Sequence, residues 1–276
     1  MLLRLKIVFL SLLFAGALAI FAWKGDWYFY VLLFLVLLSL FFLWPFVYRW
    51  RFLAIPFFLS IGSLNLLYLV DGFFERILFI LLATVVYYVS VLGAYRLRKY
   101  DCDQTAQAMI NLSTIVTVFF WFVSNYGWYL NFAIDSWVLV VLFVVSTFFI
   151  ALPSLTICFT SCYKIKYRKR IGLSGGEKKI YLKALKEQIM IQRVVLFFGV
   201  VLALVMGQVI WALSFWPFGY LVTGTVAVIV FFVFWESVRQ FIIAKKISKK
   251  FLLSNVLLMI ILIALMVSTS PWKVVS

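Results

Sequence analysis

Long apolar runs alternate with short polar or charged segments along the whole chain. A run of roughly 17–25 residues is the length that an α-helix needs to cross the hydrocarbon core of a bilayer. Inside lipid, each backbone N–H and C=O must be paired within its own segment, so these runs should be helical. The pattern predicts about nine spans, at residues 7–23, 27–48, 52–70, 77–95, 106–126, 137–159, 194–215, 220–244 and 251–269.

Composition supports this all-α, polytopic transmembrane helix bundle. Hydrophobic residues make up 67% of the 276 positions and charged residues only 12%. A soluble domain is nearer 45–50% apolar and about 25% charged. A chain of this size could not hide so much apolar surface from water. Because no polar stretch is long enough to fold alone, we treat residues 1–276 as a single transmembrane domain.

The basic residues predict an orientation. Of the 25 Lys and Arg, 22 fall in alternate segments that begin with the N-terminus, and only Lys24, Arg76 and Lys273 lie on the other side. Lys and Arg accumulate in cytoplasmic loops, so the N-terminus should be cytoplasmic and the C-terminus outside. This distribution predicts a multi-pass protein of the cell (cytoplasmic) membrane, with anionic headgroups as its partner. Nucleic acid is not expected, since it would require a folded basic domain.

The first run has two interpretations. Arg4 and Lys6, an apolar run and the small residues Ala17 to Ala19 are also typical of a cleaved signal peptide. The run continues to Trp23, which is long for a signal, and we favour a retained anchor. Cleavage would leave eight spans with unchanged orientations.

The residue types present argue against catalysis. The chain has no histidine, which excludes His-based acid/base chemistry and His-containing metal or haem sites. Asp101 and Asp103 offer oxygen ligands, but two carboxylates alone make a weak cation site. Cys158 and Cys162 share a helical face without further ligands, which indicates small packing residues rather than a metal site. We therefore expect no enzyme activity, metal or cofactor.

The longest polar segment, at about 164–193, has ten basic residues. Ser174 and Glu177 have the spacing of a capping box, which predicts a helix beginning there. Lys179, Lys183 and Lys186 lie on one side of that helix and apolar residues on another. Such an amphipathic basic helix is expected to lie along anionic headgroups before the chain turns into the next span.

One acid lies inside a predicted span. Glu236 follows a wholly apolar run, and Arg239 comes three residues later. A buried carboxylate is costly unless it is paired or faces water, so intramembrane acids are candidates for function. The alternative, which we favour, is that Glu236 and Arg239 form a structural pair near the cytoplasmic end of the span.

A polar stripe follows the fifth span at spacings of three and four residues, formed by Gln107, Asn111, Thr114 and Thr117. Such stripes most often bond neighbouring helices, although a polar lining to a substrate path has the same pattern. Asn65 and Gln208, alone in other spans, are also predicted to bond between helices.

The C-terminal region resembles a family. Trp216-Pro217-Phe218-Gly219-Tyr220, then Thr223-Gly224, a span, a basic turn and a last span closing on Trp272 resemble uncharacterised multi-pass bacterial membrane proteins. The resemblance covers roughly the last seventy residues, and it implies a membrane location without an activity.

These observations favour a non-catalytic integral membrane protein, a scaffold or subunit of a membrane assembly in contact with anionic lipid. The alternative is a small-solute or lipid transporter that uses Glu236 and needs the polar stripe to converge with it near the membrane middle. A membrane-embedded enzyme comes third.

Overall fold

The described backbone consists of helices and short connections. The computed structural model describes residues 2–42, 50–99, 103–132, 134–171, 177–244 and 249–269. It places the side chains of these residues except at 2–4, 41–42, 50–51, 98–99, 158–171, 177–191, 243–244 and 269. The prediction of an all-α fold is confirmed for these ranges, in which no strand occurs.

Nine α-helices follow one another through the described residues: α1 (Leu2–Trp23), α2 (Tyr28–Leu37), α3 (Trp50–Tyr68), α4 (Phe73–Lys99), α5 (Gln104–Phe132), α6 (Ser136–Ile171), α7 (Glu177–Leu213), α8 (Tyr220–Ala244) and α9 (Lys249–Thr269). A 3₁₀ turn at Gly25–Trp27 precedes α2, and a π turn at Leu38–Phe42 continues it. Seven of these helices are long and apolar enough to cross a membrane. The other two apolar segments, Gly25–Leu40 and Phe52–Tyr68, are shorter.

One predicted boundary lies outside the described residues, and another differs from the structure. The span expected at 27–48 is described only as far as residue 42. The basic helix does not end in a turn near Arg193, because α7 continues without a break from Glu177 to Leu213. No proline interrupts this stretch, so the backbone hydrogen bonds can run straight from the basic part into the apolar part. The turn expected near Arg193 is therefore absent, while contact of the basic part with anionic headgroups stays a prediction.

Helix α5 lies at the centre of the bundle. It packs against α3, α4, α6 and α8, and its segment from Thr117 to Gly127 is almost wholly buried. Two glycines permit this close packing. A Cβ at Gly62 of α3 would lie 3.1 Å from the backbone nitrogen of Trp121, and one at Gly224 of α8 would lie 2.8 Å from the Cα of Val123. The backbones therefore approach where larger residues would hold them apart.

Arginines at the two ends of the bundle are bound to neighbouring segments. At the end we call the basic end, where Arg96, Arg239 and Lys249 lie, Asp103 Oδ1 accepts hydrogen bonds from the N–H groups of Thr105 and Ala106 and caps α5. Asp103 also contacts Arg96 Nε at 2.9 Å. At the opposite end, Arg76 donates to the carbonyl oxygens of Val70 and Ala22.

Helix α9 is the most exposed of the seven helices that are long and apolar enough to cross a membrane. It packs against α8, and none of its span is buried inside the protein. Beyond Lys249 and Lys250 its surface is mostly apolar, which suits a helix that faces lipid or another membrane protein.

Candidate functional site

The intramembrane acid predicted from the sequence is in contact with its predicted partner. Arg239 Nη1 donates to Glu236 Oε2 over 3.1 Å, within one turn of α8. The side chains of Glu236 and Arg239 are 22% and 34% exposed, so both are partly withdrawn from the surface. The carboxylate thus has a charged partner on its own helix, which lowers the cost of its burial.

A buried tryptophan supports this pair. The Trp235 ring is 1% exposed, and its Nε1 donates to Ser154 Oγ on α6 over 2.6 Å. The Arg239 guanidinium lies 5.6 Å from the ring centre, within range of a cation–π interaction. Three links, from Ser154 to Trp235, Arg239 and Glu236, therefore connect α6 with the ion pair.

The polar stripe of α5 faces two directions. Thr114 donates to the carbonyl oxygen of Ile110 in its own helix, over 2.8 Å. Thr117 lies seven residues after Ile110, on the face that contacts Gly93 of α4, and its buried hydroxyl has no hydrogen-bond partner among the described residues. Gln107 and Asn111 are half-buried. The stripe is therefore not a single continuous lining.

Asn111, in the polar stripe of α5, lies at the same level of the bundle as Glu236. Helices α5 and α8 are antiparallel, and Gly224 meets Val123. Glu236 lies twelve residues after Gly224 on α8, and Asn111 lies twelve residues before Val123 on α5. At 1.5 Å per residue, each is about 18 Å from the contact in the same direction, so the two residues are level. Asn111 also shares a face with Ile115, four residues later, which lies opposite Phe232 and Val233 of α8. Asn111 and Glu236 thus lie at the same level along α5 and α8.

Buried hydroxyl groups on α4 and α5 are a second polar feature, which sequence reasoning missed. Tyr87, Ser90 and Ser113 are fully buried, and their oxygen atoms have no hydrogen-bond partner among the described residues. Contact of Gly93 with Met109 and Ile110 sets an antiparallel register that places Ser90 near the level of Ser113. Their scattered spacing within apolar runs gave no sequence signal.

The remaining sequence candidates lie elsewhere. The side chains of Lys179, Lys183 and Lys186, and those of Cys158 and Cys162, lie outside the described residues, as do Asp101 and Cys102 entirely. Among the residues that are described, no three Asp, Glu, Cys or His side chains gather to hold a metal ion.

Comparison with known proteins gives no family: no family model, curated protein or solved structure matches this chain. The resemblance of the C-terminal region therefore stays a prediction from its residues. The structural class is that of an all-helical protein with seven described helices that are long and apolar enough to cross a membrane.

Proposed function

We propose that the chain is a non-catalytic integral membrane protein, a scaffold or subunit of a membrane assembly in contact with anionic lipid. The observation that carries this proposal is the local pairing of Glu236. Its carboxylate binds Arg239, and Arg239 in turn lies over the fixed Trp235 ring. An acid held in this way supports the structure of α8, and proton transfer or ion binding would require this pair to open first.

The proposed orientation is a nine-span protein of the cytoplasmic membrane with its N-terminus inside. Its support is the 22 basic residues on one side. The two shorter apolar segments, Gly25–Leu40 and Phe52–Tyr68, would complete nine crossings with the seven longer ones. They span about 24–26 Å at 1.5 Å per residue, slightly less than a bilayer core of about 30 Å.

A transporter is the second candidate function. It is favoured by the common depth of Glu236 and Asn111, because a substrate path needs polar groups from different helices at one level. In this function the Glu236 carboxylate, rather than the ion pair as a unit, would carry the activity.

One experiment separates the two functions. Chromosomal Glu236→Gln, Arg239→Met and double-variant strains are compared with the deletion strain in every phenotype that the deletion reveals. A subunit should complement fully in the double variant, and native gel electrophoresis of gently extracted membranes should place it in a larger assembly. The subunit proposal would be contradicted, and transport favoured, by two results together. The stably expressed double variant would fail to complement, and the wild-type protein from native membranes would be monomeric.

A further inference from the structure

An apolar groove opens where α5, α8 and α9 meet. Its volume is about 280 Å³, and its lining includes Ile115, Phe232, Val233, Leu258, Met259 and Leu262, with no polar surface. These residues come from the middle of their helices. Leu258 and Leu262 are 48% and 39% exposed, so the groove opens outward from the bundle. In a bilayer it would lie at the depth of the hydrocarbon core.

The groove has a polar end. Asn111 precedes Ile115 by four residues, Glu236 follows Phe232 by four, and Asn255 precedes Met259 by four. Residues four apart share a helical face, so the three polar side chains lie one turn beyond the lining, toward the basic end. The buried amide nitrogen of Asn255 has no hydrogen-bond partner among the described residues. An unsatisfied buried donor is unfavourable, so an acceptor beside this amide would stabilise it.

Positive charge lies beyond this polar end. Arg239 is about one turn further along α8 than Glu236. Lys249 and Lys250 are exposed at the beginning of α9, about 8–9 Å from Asn255 along the helix axis. Glu236 is the one acid that the described parts of α5, α8 and α9 place here, and it is paired with Arg239. The two lysines therefore leave this end of the groove with a net positive charge.

We propose that this groove binds one acyl chain of an anionic phospholipid from the leaflet at the basic end. The chain occupies the apolar groove, an ester carbonyl accepts the Asn255 amide hydrogen, and the phosphate lies near Lys249 and Lys250. A slender acyl chain fits a groove of this size, whereas a helix 10–12 Å across would have to separate α8 from α9. The proposal deepens the proposed function, on which it rests for placing the basic end against an anionic leaflet.

The test uses the full-length purified protein in detergent and two photoreactive lipids. Phosphatidylglycerol and phosphatidylcholine carry the same diazirine in the middle of one acyl chain, and cross-linked peptides are mapped by mass spectrometry. We expect the label at 228–233 and 258–262, at least fivefold stronger with phosphatidylglycerol. A label spread evenly over α9, or equal yields from the two lipids, would overturn the proposal.

Variants assign the label to the groove. Met259→Trp fills the groove and should reduce labelling at least fivefold, whereas Leu257→Trp, on the exposed opposite face of α9, should not change it. Leu262→Phe is a smaller filling change for use if Met259→Trp lowers the thermal stability. The Lys249→Gln/Lys250→Gln variant should keep the labelled positions and lose most of the preference for phosphatidylglycerol.

Other occupants give distinct results. If a second copy or another helix fills the groove, Met259→Trp changes the mass of the detergent-solubilised complex and leaves lipid labelling unchanged, which contradicts the proposal. Failure of lipid labelling leaves complementation and native assembly untouched. The two proposals can therefore fail separately.

Discussion

At the scale of single residues, hydroxyl groups inside the bundle are mostly satisfied by their own helix. Ser60 donates to the Pro56 carbonyl, Ser63 to Leu59 and Thr84 to Ile80, each four residues earlier. A side chain that bonds its own backbone does not hold a neighbouring helix. A polar residue in a span is therefore an unreliable sign of a contact between helices.

Two lone polar residues illustrate this point. Asn65 was predicted to bond between helices, and the structure confirms it, since Tyr28 Oη donates to Asn65 Oδ1 over 2.6 Å. The same prediction is wrong for Gln208, which lies on the exposed surface of α7. Nothing local distinguishes the two residues, because the difference depends on which face of each helix meets a neighbour.

The Glu236–Arg239 pair leads to a prediction about stability. Glu236→Gln should lower the unfolding free energy by about 1 kcal/mol, because Arg239 loses its charged partner while both groups remain partly hydrated. The double variant Glu236→Gln/Arg239→Met should lose less unfolding free energy than Glu236→Gln alone. Thermal unfolding in detergent measures both losses, since each kcal/mol lowers the melting temperature by roughly 2–4 °C. Strictly additive effects would show that the two side chains do not interact.

The indole bond between helices gives a second prediction. Ser154→Ala should destabilise the protein by about 1–3 kcal/mol, because the Trp235 N–H would stay buried without an acceptor. Trp235→Phe should cost less in the Ser154→Ala background than in the wild type, since the unsatisfied donor is then removed as well. The control is Trp211→Phe, at an exposed position of α7. Equal losses of thermal stability in the control and at Trp235 would contradict a specific role for this hydrogen bond.

At the scale of elements, the position of α5 depends on its glycine neighbours. Gly224→Ala should lower the melting temperature by several degrees, since its Cβ would meet backbone atoms of Val123 that cannot rotate away. Gly16→Ala in α1 is the matched control, because beyond its own helical turn no atom lies within 4 Å of its Cβ. There the change should be neutral or stabilise the helix by up to about 1 kcal/mol. Similar destabilisation at both sites would argue against the close crossing.

The continuity of α7 can be measured directly. Spin labels at positions 183 and 204, in a background without the native cysteines, should be separated by about 31 Å if one helix connects them. A bend near Arg193 would shorten this distance and restore the surface-lying helix expected from the sequence. Detergent and anionic vesicles should give the same value, because the prediction concerns the helix and not its surroundings.

At the scale of the whole molecule, the distribution of charge determines the expected orientation. Single cysteines near Lys24, Asp71, Asn131 and Gly219, introduced into a cysteine-free protein, should react with an impermeant reagent added to intact cells. Those near Arg51, Lys99, Lys169 and Lys249 should react only after the cells are opened. External labelling at Lys169 would refute the orientation, since it would place the most basic segment on the outer face.

The all-helical fold and the approximate spans could be predicted from the sequence, because backbone hydrogen bonding in a membrane span is a local requirement. A run of apolar residues long enough to cross a bilayer must satisfy its backbone internally, whichever neighbours it later acquires. The pairing of Glu236 with Arg239 is local as well, since a separation of three residues brings two side chains onto one helical face. These features needed no knowledge of how the helices pack.

Tertiary structure decided which residues meet across helices. Only the crossing of α5 with α8 at Gly224 places Asn111 level with Glu236, and only the packing of α9 on α8 brings Asn255 to the same end of a groove. In an apolar span most positions look alike, because lipid and protein interior favour the same side chains. Helical spacing therefore identifies a face, whereas the backbone approach permitted by small residues determines which neighbour that face contacts.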